Sequence, residues 1–428
     1  MPNKTFESND YSEQSTVFNE LISPIKEFVS DQNKQLPKHP RQKYDYYNFF
    51  ILLIYYFTTG ASSLKLFVNG KLNKGLLPSS LEIKPVPYST LSDAFERFPP
   101  NLFKEVFQYL VSNLPFKKVY ELTALGTLYC IDGSLFPVIN SMMWADYKKN
   151  NNALKLHLCF ELNRMIAVDF LVGDGNSCER KALKKMLVKS ATYIADRGYM
   201  SFSICDTIIK NQAYFIFRVK SSLLFSVKET LEITLPKNVQ DLFENVTDEL
   251  INYTNDSYKH TYRLVCFSVL SEDYYILTNK MSLTTFQIIM LYAYRWQIEL
   301  LFRFLKRTMG SIHLIKHDQR GVTTQFYALL ITALLTLHLK QKAIDSMTTE
   351  KHTGINGFPE TIKNPVDSNN NKKIANSRLS SGAEFISVLG NGVKKYWKIG
   401  IYWLTTLREL LSLPYDIRAV EMPGNNKQ

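Results

Sequence analysis

The stretch Leu291–Gly310, LYAYRWQIELLFRFLKRTMG, constrains the fold of this chain more than any other segment. Its polar side chains recur at intervals of three or four residues, which is the spacing that places side chains along one side of an α-helix. Thr284 with Gln287 forms a capping-box pattern just upstream. The sequence therefore predicts one long helix with an apolar face and a polar stripe. The stripe contains Tyr292, Arg295, Glu299, Arg303 and Lys306.

The composition predicts a folded, basic protein. The chain has 428 residues, of which 45% are hydrophobic and 21% are charged, as in ordinary globular proteins. A length of this size corresponds to roughly two to four folded units. The net charge of +12 favours a polyanionic partner, either nucleic acid or an anionic membrane surface. The five cysteines are odd in number and widely spaced, which indicates reduced thiols in a cytoplasmic protein and argues against a disulfide framework or zinc ribbon.

Two apolar stretches raise the question of a membrane span. Tyr46–Leu64 is long enough, but it contains several hydroxyl and amide side chains, so we expect a buried helix ending near Gly60. Phe326–Leu339 is too short to span a bilayer. The first twenty residues are polar, so we expect no signal peptide there. We therefore expect no membrane association, and a membrane protein remains an alternative that detergent-free solubility would exclude.

Residues 1–120 are predicted to form an all-helical module. A polar arm with a short helix at Val17–Val29 precedes the apolar helix. Thr90 with Asp93 gives a helix-start signal, and Asn101 is placed to cap the helix that follows. The module either contacts a partner or serves as a helical cap on the main domain.

The pattern changes at Thr127 to alternating strands and helices, with Asp132 and Asp196 at the ends of two predicted strands. The order is three strands, a helix, a strand, a helix and a strand, which is that of an RNase H-like mixed α/β sheet. That fold would place the two aspartates on adjacent strands, with Glu299 brought over them by the long helix. The predicted strands are Thr127–Asp132, Leu154–Glu161, Met165–Val172, Ala191–Asp196 and Ala213–Val219, and the helices are Cys178–Lys189 and Phe202–Ile209.

The rest of the chain completes a predicted domain plan. Residues 121–220 and 281–345 form the two parts of the α/β core, and residues 221–280 form a β-rich insertion with strands at Tyr262–Leu270 and Tyr274–Thr278. Residues 346–428 form a linker at Met347–Gly382 and a C-terminal helical region with a final helix at Trp397–Leu413.

The polar stripe also matches a known pattern. Tyr292, Arg295, Glu299 and Lys306 are separated by two, three and six residues. This spacing resembles the Y-R-E-K signature of a group of bacterial insertion-sequence transposases, in which the glutamate is the last acid of a D-D-E triad. The segments DRGY at Asp196 and KLHL at Lys155 are similar to the usual context in that group.

The resemblance implies that Asp132, Asp196 and Glu299 are both catalytic and metal-binding. Carboxylates are the ligands that Mg²⁺ prefers, and Mn²⁺ can substitute for it; in two-metal sites the ions lie about 3.5–4 Å apart over the phosphodiester. Each acid alone has a simpler explanation. Asp132 before Gly133 suits a turn, Asp196 could pair with the next residue, and Glu299 could pair within its helix.

Several cationic and aromatic residues are candidates for DNA binding. Arg295 and Lys306, with Tyr292, lie on the Glu299 face, where they could hold the phosphate beside the scissile bond. Arg197 and Arg303 are further candidates. Trp296 could stack on a displaced base, although a core position is the more common role for tryptophan.

Other motifs give little support to other chemistry. His313 and His317 lack the intervening glutamate of a zinc protease, so we expect a structural or phosphate-contacting role. His157 alternates with apolar residues, as on the polar face of a strand, and it could lie near the acids. GDGNSC at Gly173–Cys178 fails the dinucleotide fingerprint and no phosphate-binding GxxxxGK occurs, so we expect no nucleotide cofactor.

The resemblance implies a cut-and-paste DNA transposase, cytoplasmic and associated with the nucleoid. It would bind double-stranded DNA, both terminal inverted repeats and target, as a homodimer, with the N-terminal module at the element ends. It would hydrolyse a phosphodiester at the end and direct the freed 3′-hydroxyl into target DNA, with a hairpin as one route for the second strand. The alternatives are an RNase H-like nuclease without strand transfer and a catalytically inactive DNA-binding relative.

Overall fold

The computed structural model describes residues 17–38, 42, 44–59, 64–69, 87–138, 142–148, 151–236, 243–269, 272–307 and 314–352. The chain divides into two compact units. The helical unit comprises Met1–Phe116, Phe136–Leu154 and Arg303–Thr349, and the sheet unit comprises Lys117–Leu135, Lys155–Phe302 and Glu350–Gln428. His313, the predicted helix Trp397–Leu413 and nearly all of the predicted linker lie outside the described residues.

Within the described ranges, eleven α-helices follow a helical segment at residues 17–22, besides short 3₁₀ and π turns. They are α1 (Lys26–Gln35), α2 (Tyr46–Thr59), α3 (Leu64–Phe67), α4 (Tyr88–Arg97), α5 (Pro100–Asn113), α6 (Tyr120–Thr123), α7 (Glu179–Lys185), α8 (Phe202–Lys210), α9 (Thr285–Tyr294), α10 (Trp296–Arg307) and α11 (Gln319–His352).

Aromatic side chains fill the core of the helical unit. Tyr46, Phe49 and Phe50 of α2 make stacked and edge-on ring contacts with Phe98 and Phe103, which flank the start of α5. These rings are almost fully buried. Such pairs add about 0.5–1.5 kcal/mol each beyond the burial of their area. The predicted buried helix near Tyr46 is confirmed.

The predicted starts of α4 and α5 are wrong. Helix α4 begins at Tyr88 after Pro87, and α5 begins at Pro100 after Pro99. No side chain caps the N-terminus of either helix. Proline suits a helix start because its fixed φ matches the first turn and its missing N–H would have no partner there. Thr90 and Asn101 therefore lie inside their helices and do not cap them.

Helix α11 is much longer than the predicted Phe326–Leu339. Its segment Gln319–Lys342 is long and apolar enough to cross a membrane, with a mean hydropathy of 1.5. However, 72% of the most apolar 18-residue stretch of this segment is buried inside the structure. Burial against protein is typical of the core helix of a folded domain, so the length of α11 gives only weak support for a span.

The ten described strands form one mixed sheet in the order β2-β3-β1-β5-β6-β10-β9-β8-β7, and β4 pairs with β3. The strands are β1 (Leu128–Pro137), β2 (Asp146–Lys148), β3 (Asn151–Glu161), β4 (Ile166–Asp174), β5 (Thr192–Ala195), β6 (Tyr214–Arg218), β7 (Phe225–Thr230), β8 (Glu244–Tyr253), β9 (Tyr262–Val269) and β10 (Glu272–Thr278). Strands β4, β3, β1, β5 and β6 follow one another across the sheet, which confirms the predicted RNase H-like order.

The strands from the segment predicted to be a β-rich insertion extend this sheet. Strand β10 pairs antiparallel with β6, and β9, β8 and β7 follow in antiparallel order. The sequence did not predict β7 and β8. Every residue of β7 is exposed, so it lacks the apolar alternation of a half-buried strand, and β8 begins with the polar run ENVTDE.

The signature stretch is not one uninterrupted helix, contrary to the prediction. Helix α9 ends at Tyr294, α10 begins at Trp296, and Arg295 lies in the turn between them. The amide of Arg295 donates to the Tyr292 carbonyl at 3.1 Å, and the Ile298 amide donates to the Arg295 carbonyl at 3.2 Å. These three-residue hydrogen bonds tighten the chain locally, as in a 3₁₀ turn. The predicted capping box of Thr284 and Gln287 is confirmed.

Candidate active site

Strands β1 and β5 bring the two aspartates together. The strands are parallel, and Cys130 pairs with Ile194. Asp132 and Asp196 each lie two residues beyond that pair, so the register places them side by side. Asp196 follows the end of β5, as predicted. Asp132 lies inside β1, contrary to the prediction, because the strand continues through Gly133 to Pro137.

Asp132 lies in a site that opposes its ionisation. Burial raises the pKa of its carboxyl from the usual 3.8 to about 6, and the negative charges of Glu299 and Asp196 act in the same direction. The Gly133 amide, which donates to Asp132 Oδ1 at 2.8 Å, and the Arg295 guanidinium lower this pKa. The three predicted catalytic acids therefore interact electrostatically around Asp132, with Arg295 among them.

Arg295 pairs with the third acid. Its Nη2 lies 2.6 Å from Glu299 Oε1, and 13% of the Arg295 side chain is exposed against 31% of Glu299. Tyr292, Glu299 and Asp196 together raise the pKa of Arg295 against the opposing effect of burial. The guanidinium Nε is buried without a hydrogen-bond partner among the described residues. Arg295 thus has remaining capacity to donate.

Tyr292 completes this group. Its hydroxyl lies 3.4 Å from Asp196 Oδ1, and the guanidinium carbon of Arg295 lies 5.6 Å from the centroid of the Tyr292 ring. Burial raises the pKa of the Tyr292 hydroxyl. The predicted common side of Tyr292, Arg295 and Glu299 is therefore present in spite of the turn at Arg295, which the sequence did not predict.

The other predicted DNA-binding residues have different surroundings. Arg197 is exposed and opens the 3₁₀ turn directly after Asp196. Trp296 and Arg303 are half-buried. Lys306 is exposed in the helical unit, where its ammonium lies 5.1 Å from the centroid of the Phe136 ring. His317 is exposed, and its carbonyl accepts a hydrogen bond from the Trp144 indole at 2.6 Å.

The described residues contain no group of three His, Cys, Asp or Glu side chains placed to hold a metal ion. The donor chemistry nevertheless fits a divalent cation, because two adjacent carboxylates and a third within electrostatic range supply hard oxygen ligands. Glu299 is held by Arg295 in this arrangement.

A second polar cluster lies beside Asp132, and only part of it was predicted from the sequence. Lys155 and His157 project from β3, and Lys155 pairs with Glu179 of α7 at 2.8 Å. His157 Nε2 lies 2.9 Å from Ser177 Oγ, and burial lowers the pKa of this histidine to about 4. The alternation LKLHL indicated a polar strand face, but its partners Glu179 and Ser177 come from a distant segment that no local pattern identifies.

Comparison with known proteins identifies a family and several relatives for the part of the chain that carries this site. Residues 124–335 match the family described as Transposase DDE domain. A protein of Sinorhizobium fredii named as transposase y4zB is 26% identical over 250 residues, which cover 57% of this chain and 69% of the relative. A protein of Geobacillus stearothermophilus, named as a transposase for insertion sequence element IS5377, is 22% identical over 58% of this chain and 66% of its own length.

Two further similarities are weaker. A protein of Synechocystis named as a transposase for insertion sequence element IS4SA is 21% identical over 60% of this chain and 72% of its own length. Among solved structures, a cryo-EM piggyBac transposase synaptic complex with hairpin DNA aligns with 85% of this chain and 89% of its own, at 11% identity and a TM-score of 0.36. That score is too low to support a shared fold. From the DDE domain and its named relatives, the chain belongs to the DDE transposases of bacterial insertion sequences, enzymes that act on DNA.

Proposed function

We propose that Asp132, Asp196 and Glu299 form the catalytic triad of this transposase. The supporting observation is the register that places the two aspartates side by side. Glu299 is close enough to raise the pKa of Asp132, and Arg295 is close enough to lower it. All three acids lie within the matched DDE domain, residues 124–335. The spacing of Tyr292, Arg295, Glu299 and Lys306 supports membership of the Y-R-E-K group.

Transposases of this family generally use divalent metal ions. We propose Mg²⁺, with Mn²⁺ as a substitute, held by the three carboxylates. When bound, two ions would activate the attacking water or hydroxyl and stabilise the leaving oxygen. Asp132 must lose its proton to serve as a ligand, so its buried position makes metal binding sensitive to pH near 6.

Arg295 has two roles in this proposal. Its pairing with Glu299 neutralises the acid in the metal-free protein, where three close carboxylates would otherwise repel one another. With Glu299 serving as a metal ligand, the Arg295 guanidinium would be free to bind a DNA phosphate through two parallel hydrogen bonds. The Tyr292 hydroxyl, 3.4 Å from Asp196 Oδ1, would orient Asp196 beside the same phosphate.

The remaining cationic and aromatic candidates are assigned to the DNA path. Arg197, Arg303 and Lys306 would contact phosphates, and Trp296 would stack on a displaced base. Residues 1–120 would contact the element ends, and the protein would act as a homodimer on DNA. The substrates are the terminal inverted repeats and a target duplex, and the reaction is end hydrolysis followed by attack of the 3′-hydroxyl.

The test uses a duplex that carries the DNA flanking the reading frame, with Mg²⁺, and the variants Asp132→Asn, Asp196→Asn and Glu299→Gln. We expect each variant to bind the duplex as the wild type does and to lose cleavage by a factor of at least about 10³, because every carboxylate holds metal. Glu229→Gln, on the exposed strand β7, is the control that should cleave normally. Near-normal cleavage by any triad variant would refute the assignment.

A second readout separates transposition from simple hydrolysis. The cleaved 3′-hydroxyl end is supplied with a second, labelled duplex, and covalently joined products are measured on a denaturing gel. Joined products support the cut-and-paste route. Cleavage without joining identifies a nuclease, and tight end binding with no cleavage by the wild type identifies an inactive DNA-binding protein.

A further inference from the structure

Each predicted catalytic aspartate is followed by a glycine that lies against one end of the same ion pair. Gly133 follows Asp132 directly, and a Cβ built on it would lie 2.9 Å from Cε of Lys155 and 3.1 Å from Nδ1 of His157. Cβ atoms in proteins essentially never lie closer than 3.0 Å to another heavy atom, so the 2.9 Å approach to Lys155 Cε could not be kept. A side chain at position 133 would therefore displace Lys155 from its present path.

The second glycine makes room for the other end of the pair. Gly198 lies two residues beyond Asp196, and a Cβ built on it would lie far inside contact distance of Glu179 Oε2 and 3.1 Å from Glu179 Cδ. The φ of Gly198 is not in the left-handed region, so its backbone conformation does not require glycine. A side chain at position 198 would instead displace the Glu179 carboxylate from its present place.

The ion pair joins the elements that flank both aspartates. Lys155 lies on β3, the neighbour of the strand that carries Asp132, and Glu179 is the first residue of α7, which packs on the turn Arg197–Tyr199. The side chains are 15% and 29% exposed, and their charged atoms lie 2.8 Å apart. A pair that is mostly shielded from water is more directional than a surface pair and tolerates less displacement.

We propose that Lys155 and Glu179 are positioning residues that hold Asp132 and Asp196 in their metal-binding arrangement. Neither is a metal ligand. The pair ties β3 to the turn after Asp196, while Gly133 and Gly198 allow its two ends to approach the aspartate-bearing backbone. The proposal rests on the assignment of Asp132 and Asp196 as metal ligands. Residues that orient the ligands of a metal typically change its affinity or the activity by about 10–100-fold when they are replaced.

The first test measures Mn²⁺ binding to the full-length protein without DNA, by the loss of the free-ion electron paramagnetic resonance signal. Lys155→Met and Glu179→Gln are each expected to weaken Mn²⁺ binding by about tenfold or more while the protein remains folded by circular dichroism. The charge-exchanged double variant, Lys155→Glu with Glu179→Lys, is expected to recover most of the affinity, because the pair is restored with reversed polarity. Equal weakening in the double variant and the singles would refute the pairing role.

The matched control is another ion pair in the same unit. Glu161 and Arg164 are 2.7 Å apart and similarly shielded, at 10% and 18% exposure, but they lie at the turn between β3 and β4. Glu161→Gln removes a comparable pair and is expected to leave Mn²⁺ affinity unchanged. If Glu161→Gln and Glu179→Gln weakened Mn²⁺ binding equally, the effect would be one of general stability and the proposal would fail.

The glycine argument has its own test in a double-mutant cycle. Gly198→Ala is expected to weaken Mn²⁺ binding about as much as Glu179→Gln, because the new methyl group pushes the carboxylate away. In a Glu179→Ala background, Gly198→Ala should have little further effect, since no carboxylate remains to be displaced. Additive effects of the two substitutions would show that Gly198 acts independently of the pair, which would overturn this part of the proposal.

Asp132→Asn separates failure of this proposal from failure of the proposed triad. If Asp132→Asn abolishes Mn²⁺ binding and the Lys155 and Glu179 variants do not weaken it, the triad stands and the positioning role is wrong. If Asp132→Asn binds Mn²⁺ normally, the triad assignment itself is wrong and the positioning proposal fails with it.

Discussion

At the scale of single residues, Asp132 is both a buried carboxyl with a perturbed pKa and a proposed metal ligand. The folded protein raises its pKa to about 6, mainly through burial and then through the nearby acids Glu299 and Asp196. A group with a raised acid pKa is destabilising when ionised, because the unfolded chain solvates the charge better. The site therefore stores unfavourable electrostatic free energy that a bound cation would relieve.

The first prediction concerns stability against pH in the metal-free protein. Above pH 6, the ionised Asp132 carboxylate lowers the free energy of unfolding. This loss shrinks as the pH falls below 6 and is absent below pH 3.8, where the carboxyl is protonated in both the folded and the unfolded protein. Asp132→Asn should therefore be more stable than the wild type above pH 6, by about 3 kcal/mol at most, and the difference should vanish near pH 3.5. Urea unfolding from pH 3.5 to 8 with chelator measures it, and a difference independent of pH would contradict the raised pKa.

The second prediction concerns Arg295, whose charge lowers the pKa of Asp132. Arg295→Gln removes that charge, so the proton should leave Asp132 at a higher pH. The midpoint of the pH profile for Mn²⁺ binding should move upward by several tenths of a pH unit or more, since about 1.4 kcal/mol of interaction corresponds to one unit. Arg295→Lys keeps the charge and should keep the midpoint. Identical midpoints in all three proteins would show that Arg295 does not act on Asp132.

At the scale of elements, a buried ion pair connects strands β8 and β9 to the start of helix α9. Arg263 on β9 makes a two-pronged pair with Asp248 on β8, at 2.7 and 2.6 Å, and the two side chains are almost fully buried. Arg263 also donates to the carbonyl of Leu283, and the Thr285 hydroxyl donates to Asp248 at 2.7 Å. Because Thr285 is the first residue of α9, this network fixes where the helix carrying Tyr292 begins.

The third prediction tests that network. Arg263→Met leaves the Asp248 carboxylate buried with its main partner lost, so we expect a loss of about 3–5 kcal/mol in the free energy of unfolding. Lys34→Met is the matched control, because Lys34 and Asp31 form an exposed pair, at 72% and 53%, of the kind that contributes at most about 1 kcal/mol. Equilibrium unfolding in urea gives both values. A loss below about 1 kcal/mol for Arg263→Met would show that the pair does not hold the helix start.

At the scale of the whole molecule, the net charge of +12 sets how the protein meets DNA. Neutralising phosphates with lysine and arginine releases counterions, so the affinity falls linearly with salt on a double-logarithmic plot. The proposed triad contributes carboxylates and no phosphate contacts, whereas Arg303 and Lys306 are each proposed to contact a phosphate.

The fourth prediction follows from that difference. The slope of log affinity for the element end against log salt concentration should be the same for the wild type and for Glu299→Gln. For Arg303→Gln and for Lys306→Gln, its magnitude should be smaller by about one if each side chain neutralises one phosphate. Fluorescence anisotropy between roughly 50 and 200 mM salt measures the slopes. An unchanged slope for Lys306→Gln would remove Lys306 from the proposed DNA path.

The sequence by itself determined the helical character of the signature stretch, the capping box at Thr284 and the five core strands, because these depend on periodicity and on local chemistry. It also supplied the three acids as the candidate triad. It failed at the turn of Arg295, at exposed strand β7 and at the proline-led helix starts. Only the tertiary structure decided that β10 joins β6, that Arg295 pairs with Glu299 beside Asp132, and that Lys155 reaches Glu179 between two glycines. These contacts join residues distant in sequence or depend on a local tightening of the helix, and their free energies arise from burial and packing that no short stretch of sequence contains.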